Sequence, residues 1–169
     1  MNKTDFRRTV FSLSERLFPM VSRMLGSSAN AEDAIQDIMM KLWEKRKRIA
    51  DHPNIQGLVF STARNHCIDI LRKKTLASHD ASFQLEILKS ENDSEELEWK
   101  ELRGIIKKIV ASLPEQQREV ILMRDLDGYE FTEIASAMQL KVEHVRVLLS
   151  RARKVVSVQL EKTYDYGRE

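Results

Sequence analysis

The stretch Asp127–Lys154, DGYEFTEIASAMQLKVEHVRVLLSRARK, decides how this chain is read, because its apolar positions carry the spacing of a helix-turn-helix. Ile134, Ala135, Met138, Leu140, Val145 and Leu149 pack two short helices at a steep angle about a tight turn near Gln139. Lys141, His144, Arg146, Ser150 and Arg151 are left facing outward on the second helix. In such a motif the second helix lies in the major groove. There an arginine can bridge guanine O6 and N7, and other basic groups hold phosphates. The alternative is an ordinary helical hairpin with a solvated basic face, which the spacing alone does not exclude.

Around this motif the composition points to an all-α protein of two small helical domains joined by a flexible acidic linker. Only 5 Gly and 3 Pro occur in 169 residues, and no segment sustains period-two alternation. Phe6, Val10, Leu13 and Leu17 form one stripe, and Pro19 is expected to begin a second helix or kink the first. Asn30 is expected to cap a helix from Ala31 to Arg48, with Glu32 and Asp33 in its first turn and Ile35, Ile38, Met39, Leu42 and Ile49 inward. After a break at Ala50–Pro53, Asn54 caps the next helix, which buries Leu58, Val59, Thr62, Ala63, His66, Ile70 and Cys67. Residues 77–97 read as the linker, with a short helix around Phe83–Leu88. They separate domains at 1–76 and 98–169. Ser112 and Glu115 have the form of a capping box ahead of a helix running to about Arg124, and Asp127 and Gly128 then turn the chain.

The net charge of +2 is too small to argue nucleic-acid binding, but its distribution is uneven. Residues 1–78 hold fourteen Lys and Arg against eight Asp and Glu, whereas 80–101 hold eight acids against two lysines. In the basic half, Lys45, Arg46, Lys47 and Arg48 end one helix, and Arg64, Asn65, Arg72, Lys73 and Lys74 line the next. Together they can form a groove for a single strand, with Asp51, His52, Asn54 and Gln56 supplying hydrogen-bonding groups for an unstacked base. Basic residues at a helix C-terminus also simply complement the dipole, so both readings stay open. The outward residues Asp33, Gln36, Asp37, Met40 and Trp43 mix acid, amide, thioether and indole as a partner-binding surface does, although Trp43 fits a core position equally well.

The single Cys67 forms no internal disulfide, and no Cys, His and acidic cluster has metal-site spacing, so neither cofactor nor metal is expected. His66 and Cys67 read as packed residues, without a base spaced to activate them. No signal-peptide pattern and no membrane-length apolar run occur. The expectation is a cytoplasmic protein that is not an enzyme, takes no small-molecule substrate and does not insert into a membrane.

Four segments carry a family resemblance. AEDAIQDIMMKLWEKR from Ala31, NIQGLVFSTARNHCIDILRKK from Asn54, LPEQQREVILMRDLDGYEFTEIA from Leu113 and VRVLLSRARK from Val145 resemble, in order and separation, bacterial extracytoplasmic-function (ECF) sigma factors. The resemblance implies a dissociable subunit of RNA polymerase that directs promoter-specific initiation. Its first domain would bind the polymerase clamp helices and capture −10 bases, and its second would read the −35 duplex and bind the flap. Carried over by position, Asp33, Gln36, Asp37, Met40 and Trp43 would contact core polymerase. Arg48, Asp51, His52, Asn54 and Gln56, backed by Arg64, Asn65, Arg72 and Lys73, would take −10 DNA, and Lys141, His144, Arg146, Val147, Ser150 and Arg151 would take −35 DNA. An anti-sigma partner is implied as well. Gln139 stands where the family often has glycine, at a cost of roughly 1 kcal/mol if the turn is left-handed. Lys141, Glu143, His144 and Leu148 also depart from the common pattern. The competing functions are a stand-alone helix-turn-helix repressor or activator, which needs no single-strand pocket, and a helical adaptor that binds only protein.

Overall fold

The computed structural model describes residues 1–77 and 97–166, so the linker and the short helix expected around Phe83–Leu88 lie outside the described residues. All regular structure among the described residues is helical, in two domains. The N-terminal domain holds α1 (Lys3–Thr9), α2 (Ser14–Leu25), α3 (Ser28–Glu44), α4 (Arg46–Ile49) and α5 (Ile55–Ala77). The C-terminal domain holds α6 (Leu97–Ser112), α7 (Glu115–Ile121), α8 (Phe131–Met138) and α9 (Val142–Tyr166).

Local capping chemistry sets several boundaries. Asn2 caps α1 by accepting from the Asp5 amide at 2.8 Å, and Asn54 caps α5 by accepting from the Gly57 amide at 2.8 Å. Four sequence expectations are corrected. Ser27, not Asn30, caps α3, its hydroxyl accepting from the Asn30 amide at 3.1 Å. The helix expected to reach Arg48 divides at Lys45 into α3 and α4. Ser112 and Glu115 make no capping box, because the Ser112 hydroxyl donates back to the Ile109 carbonyl at 2.6 Å, and Pro114 occupies the cap position. A capping box forms instead at α8, where Glu133 accepts from the Glu130 amide at 2.9 Å and the Glu130 side chain accepts in return from the N3 backbone. Pro19 does not start a helix. The chain breaks earlier, in a 3-10 turn at Phe11–Leu13, and α2 runs through Pro19. Beyond Ile121 a π-helical turn, Leu122–Leu126, carries the chain to Asp127, and Gly128 turns it with φ +79°.

In the N-terminal domain Val10, Leu17, Met20, Val21, Ile38, Leu42, Val59 and Ala63 are fully or almost fully buried. Burial of this kind is worth about 1.5–3 kcal/mol for each large apolar side chain. The same core continues into Tyr129, Ile134, Val145, Leu149 and Ala152 of the C-terminal domain. The junction is α5, which packs on α2 and α3 from one side and on α8 from the other. Phe60 and Ser61, on the side of α5 that a one-faced helix would expose, are therefore buried along with Val59 and Ala63. The Phe60 and Tyr129 rings meet edge to face at 5.4 Å.

Candidate nucleic-acid interface

The helix expected to read DNA, α9, is presented by a left-handed turn. Gln139 adopts φ 57° and ψ 43°, as the tight turn expected there requires. The Leu140 amide reaches back to the Ala135 carbonyl at 2.9 Å, satisfying one of the carbonyls that the end of α8 leaves open. Val145, Leu148, Leu149 and Ala152 then form the buried face of α9. Lys141, His144, Arg146, Val147, Ser150 and Arg151 are consequently all exposed, together with Glu143. Phe131 on α8 lies under the guanidinium of Arg146 at 5.4 Å and under that of Arg124 at 4.6 Å. This cation–π contact tethers Arg146 at the start of the helix. Arg153 is drawn away by an ion pair with Asp125 across the domain.

The residues expected to take a single strand divide into three groups. Arg48, Asp51, His52 and Gln56 are exposed around the connection between α4 and α5, where the His52 imidazole Nδ1 accepts from the Asn54 amide at 3.1 Å. Asn65, Arg72 and Lys73 line the exposed face of α5. The remaining two are engaged with the other domain. Asn54 spends its carbonyl oxygen on capping α5, and its amide nitrogen donates to the Ser136 hydroxyl at 3.4 Å. Arg64 is paired through Nε, at 2.9 Å, and Nη2 with one carboxylate oxygen of Glu119.

On α3, Asp33, Gln36, Asp37 and Met40 make one exposed stripe at helical spacing, and Met40 is 64 % exposed. Trp43 is less open than that stripe. It meets Phe6 edge to face at 5.0 Å, lies under the Arg46 guanidinium at 4.2 Å, and lines an open apolar groove of about 390 Å³ with Lys3, Phe6, Arg7 and Phe11. Trp43 thus buttresses α1 while one edge continues the stripe. His66 packs between α3 and α5, its Nδ1 accepting from the Lys41 ammonium at 2.9 Å. Burial first, and the Lys41 charge second, pull its pKa below the ordinary imidazole value. Burial pushes the Cys67 thiol up to about 12. Among the described residues no group of three His, Cys, Asp or Glu is placed to hold a metal ion, and no helix is long and apolar enough to cross a membrane.

Comparison with known proteins agrees with both halves of this geometry. Residues 10–76 match the family Sigma-70 region 2, and residues 103–156 match Sigma-70, region 4. The chain belongs to the sigma-70 family, in its extracytoplasmic-function branch. This ECF sigma factor is 28 % identical over 166 residues to the ECF RNA polymerase sigma-E factor of Escherichia coli K12, covering 92 % of this chain and 86 % of that one. It is 22 % identical to the RNA polymerase sigma-H factor of Pseudomonas aeruginosa, covering 95 % and 88 %. Its fold is shared with the sigma factor RpoE of Bartonella quintana, solved with the anti-sigma factor NepR (TM-score 0.60, 21 % identity, covering 94 % of this chain and 98 % of that one). It is also shared with CnrH, solved with the cytosolic domain of CnrY (TM-score 0.58, 20 % identity, covering 95 % and 90 %).

Proposed function

We propose that this sigma factor acts in the cytoplasm, not as an enzyme but as the subunit that gives core RNA polymerase its promoter choice. Residues 1–76 bind the polymerase clamp helices and take the −10 strand, residues 98–169 read −35 and meet the flap, and 77–97 link them. The exposed reading face of α9 on a helix-turn-helix built at Gln139 is the single observation that carries the proposal. The exposed α3 stripe supports polymerase docking by Asp33, Gln36, Asp37 and Met40, with the edge of Trp43 at its end.

Promoter melting in this reading comes from differential binding. Capture of flipped bases by Asp51, His52, Asn54 and Gln56, with phosphates held by Arg48, Arg64, Arg72 and Lys73 beside Asn65, offsets lost stacking of a few kcal/mol per base. A sigma factor of the same fold was solved with an anti-sigma factor, which supports an anti-sigma partner here too. Run-off transcription with purified core polymerase and genomic promoter fragments tests the proposal. A defined start that depends on the chain is expected; duplex binding without any directed start is the opposing outcome and would favour a repressor.

A further inference from the structure

The outermost line of α9 does not begin with a basic residue. Glu143, Val147, Ser150 and Lys154 follow one another at steps of four, three and four, and all are exposed. They therefore lie opposite the buried Val145, Leu148, Leu149 and Ala152, with Arg146 on one flank and Arg151 on the other. In this motif the N-terminal residues of the second helix are the ones that reach base edges. Here the first two on the line are an acid and an apolar side chain, and Val147 is 44 % exposed. Among the described residues Glu143 forms no ion pair. Arg146 is the cation at helical pairing distance from it, but that guanidinium lies over the Phe131 ring. A free carboxylate facing DNA meets phosphate repulsion on every sequence. It disfavours all of them except those in which a base offers it a donor.

We infer that Glu143 and Val147 are specificity-determining residues of the −35 contact, Glu143 accepting from the N4 amine of a cytosine and Val147 packing on the C5 methyl of a thymine. The inference rests on the reading of α9 as the −35 helix. In the major groove the base donors are cytosine N4 and adenine N6. Adenine sets its donor beside the N7 acceptor, which repels a carboxylate and suits an amide, so an acid selects cytosine. Thymine presents a methyl group in the same groove, and that methyl is the apolar partner available to Val147. The two residues are one turn apart, about 6 Å along the axis. At about 3.4 Å per base-pair step, the cytosine and the thymine fall within two steps of each other. Glu143 also stands in the first turn of α9, where an acid complements the helix dipole. That role stabilises the helix without preferring any base, so experiment can separate the two.

The test uses core polymerase carrying the full chain, and a duplex library made from a genomic promoter fragment with its −35 segment randomised. Duplexes retained by the wild type should be enriched for cytosine at one position and for thymine within two base pairs of it. Glu143→Gln keeps the size of the side chain, removes its charge and supplies the amide that matches adenine N6 and N7. Its preference at the first position should move from cytosine to adenine, by roughly 5- to 150-fold as for one mismatched base pair, while the thymine stays. Deoxyuridine in place of that thymine removes only the methyl. It should weaken the wild type about 2- to 4-fold and leave Val147→Ser unaffected. A Glu143 that serves the dipole alone would lower the unfolding midpoint on substitution and leave the selected sequence as it was, which overturns the inference. Wild-type selection without cytosine and thymine so placed overturns it as well, as does an equal loss on deoxyuridine in wild type and Val147→Ser. Failure of the retained duplexes to support any directed start in run-off transcription would instead count against the sigma reading, and the selected sequence would still decide what α9 reads.

Discussion

The Tyr129 hydroxyl accepts a hydrogen bond from the Met20 amide at 3.0 Å and donates one to the Arg16 carbonyl at 2.6 Å. It thereby bridges two backbone groups four residues apart in α2, beside Pro19, whose missing N–H leaves that turn one donor short. The hydroxyl is buried with its ring, so the Met20 amide and the Arg16 carbonyl have no water to replace it. Tyr129→Phe keeps the edge-to-face contact with Phe60 and removes only these bonds. It should lower stability by about 1–3 kcal/mol, the cost of stranding a buried polar group, read as a shift in the urea midpoint. An unchanged midpoint would show that the two backbone groups satisfy each other without the bridge.

Alkaline pH should weaken the folded chain. Burial raises the Cys67 thiol from an ordinary 9.0 to about 12, and burial likewise raises the Tyr129 phenol above its ordinary value. For both acids the unfolded chain releases its proton first while the folded chain retains it. The contribution is therefore absent below about pH 8 and turns against folding as pH climbs above about 9. Urea midpoints measured from about pH 8 to pH 10.5 should fall, and less steeply in Cys67→Ala and Tyr129→Phe than in the wild type. Cys67 should resist alkylation in the native protein at pH 8 and react once urea unfolds it. Prompt native labelling would contradict the burial argument.

What the sequence made legible was whatever depends on local periodicity. The apolar faces of α3 and α9, the Asn54 cap and the turns at Gln139 and Gly128 were all readable from neighbours within one or two turns. What was not legible depends on long-range docking. A sequence position that faces solvent on an isolated α5 is buried when α8 covers it, which is why Phe60 and Ser61 escaped the expected core. Arg16, Arg23, Glu119, Asp127 and Glu133 looked like ordinary surface charges, because their partners lie 55 to 117 positions away. Capping failed for a different reason: Ser27 and Asn30 both suit an N-cap chemically, and the left-handed turn at Gly26 selects Ser27. The residues proposed for strand binding could be listed from the sequence, but the tether of Asn54 and Arg64 to the second domain could not.

Gly57 marks how closely the domains approach. A Cβ at this position would lie 2.4 Å from the Asn54 amide nitrogen and 3.0 Å from the Ser136 Cβ. Gly57→Ala should therefore displace the Asn54 side chain from its cap and push α8 outward. Within a lone helix alanine is favoured over glycine by up to about 1 kcal/mol, so a gain in stability would be the outcome if docking were irrelevant. The expected outcome is a net loss, with a larger radius of gyration by scattering.

Gln139 offers a test of opposite sign. Its φ of 57° is costly for a residue with a Cβ, roughly 1–2 kcal/mol, while glycine adopts it freely. Gln139→Gly gives back part of that through the greater freedom of the unfolded chain. The substitution should raise stability by up to about 1 kcal/mol in thermal or urea unfolding, without altering which promoter sequence is bound. A lower midpoint would mean that the Gln139 side chain contributes more than its backbone costs.

The exposed basic groups of α9 should separate by the kind of DNA contact they make. Arg146 is held against Phe131 near the start of the helix, and Arg151 lies one turn and a half further along the same exposed face. If each meets a base edge, its replacement by alanine costs about 1–3 kcal/mol at one base pair and relaxes the preference there. Arg146→Lys should not restore the loss, because an ammonium lacks the planar fork that bridges two acceptors and stacks on the ring. Lys141, ahead of the helix, is proposed to meet a phosphate instead. Lys141→Ala should weaken all sequences alike and reduce the salt dependence of binding by about one phosphate contact. The holoenzyme bound to a series of −35 variants at two salt concentrations distinguishes these patterns. Uniform losses for all three substitutions would leave base reading to other residues of the face.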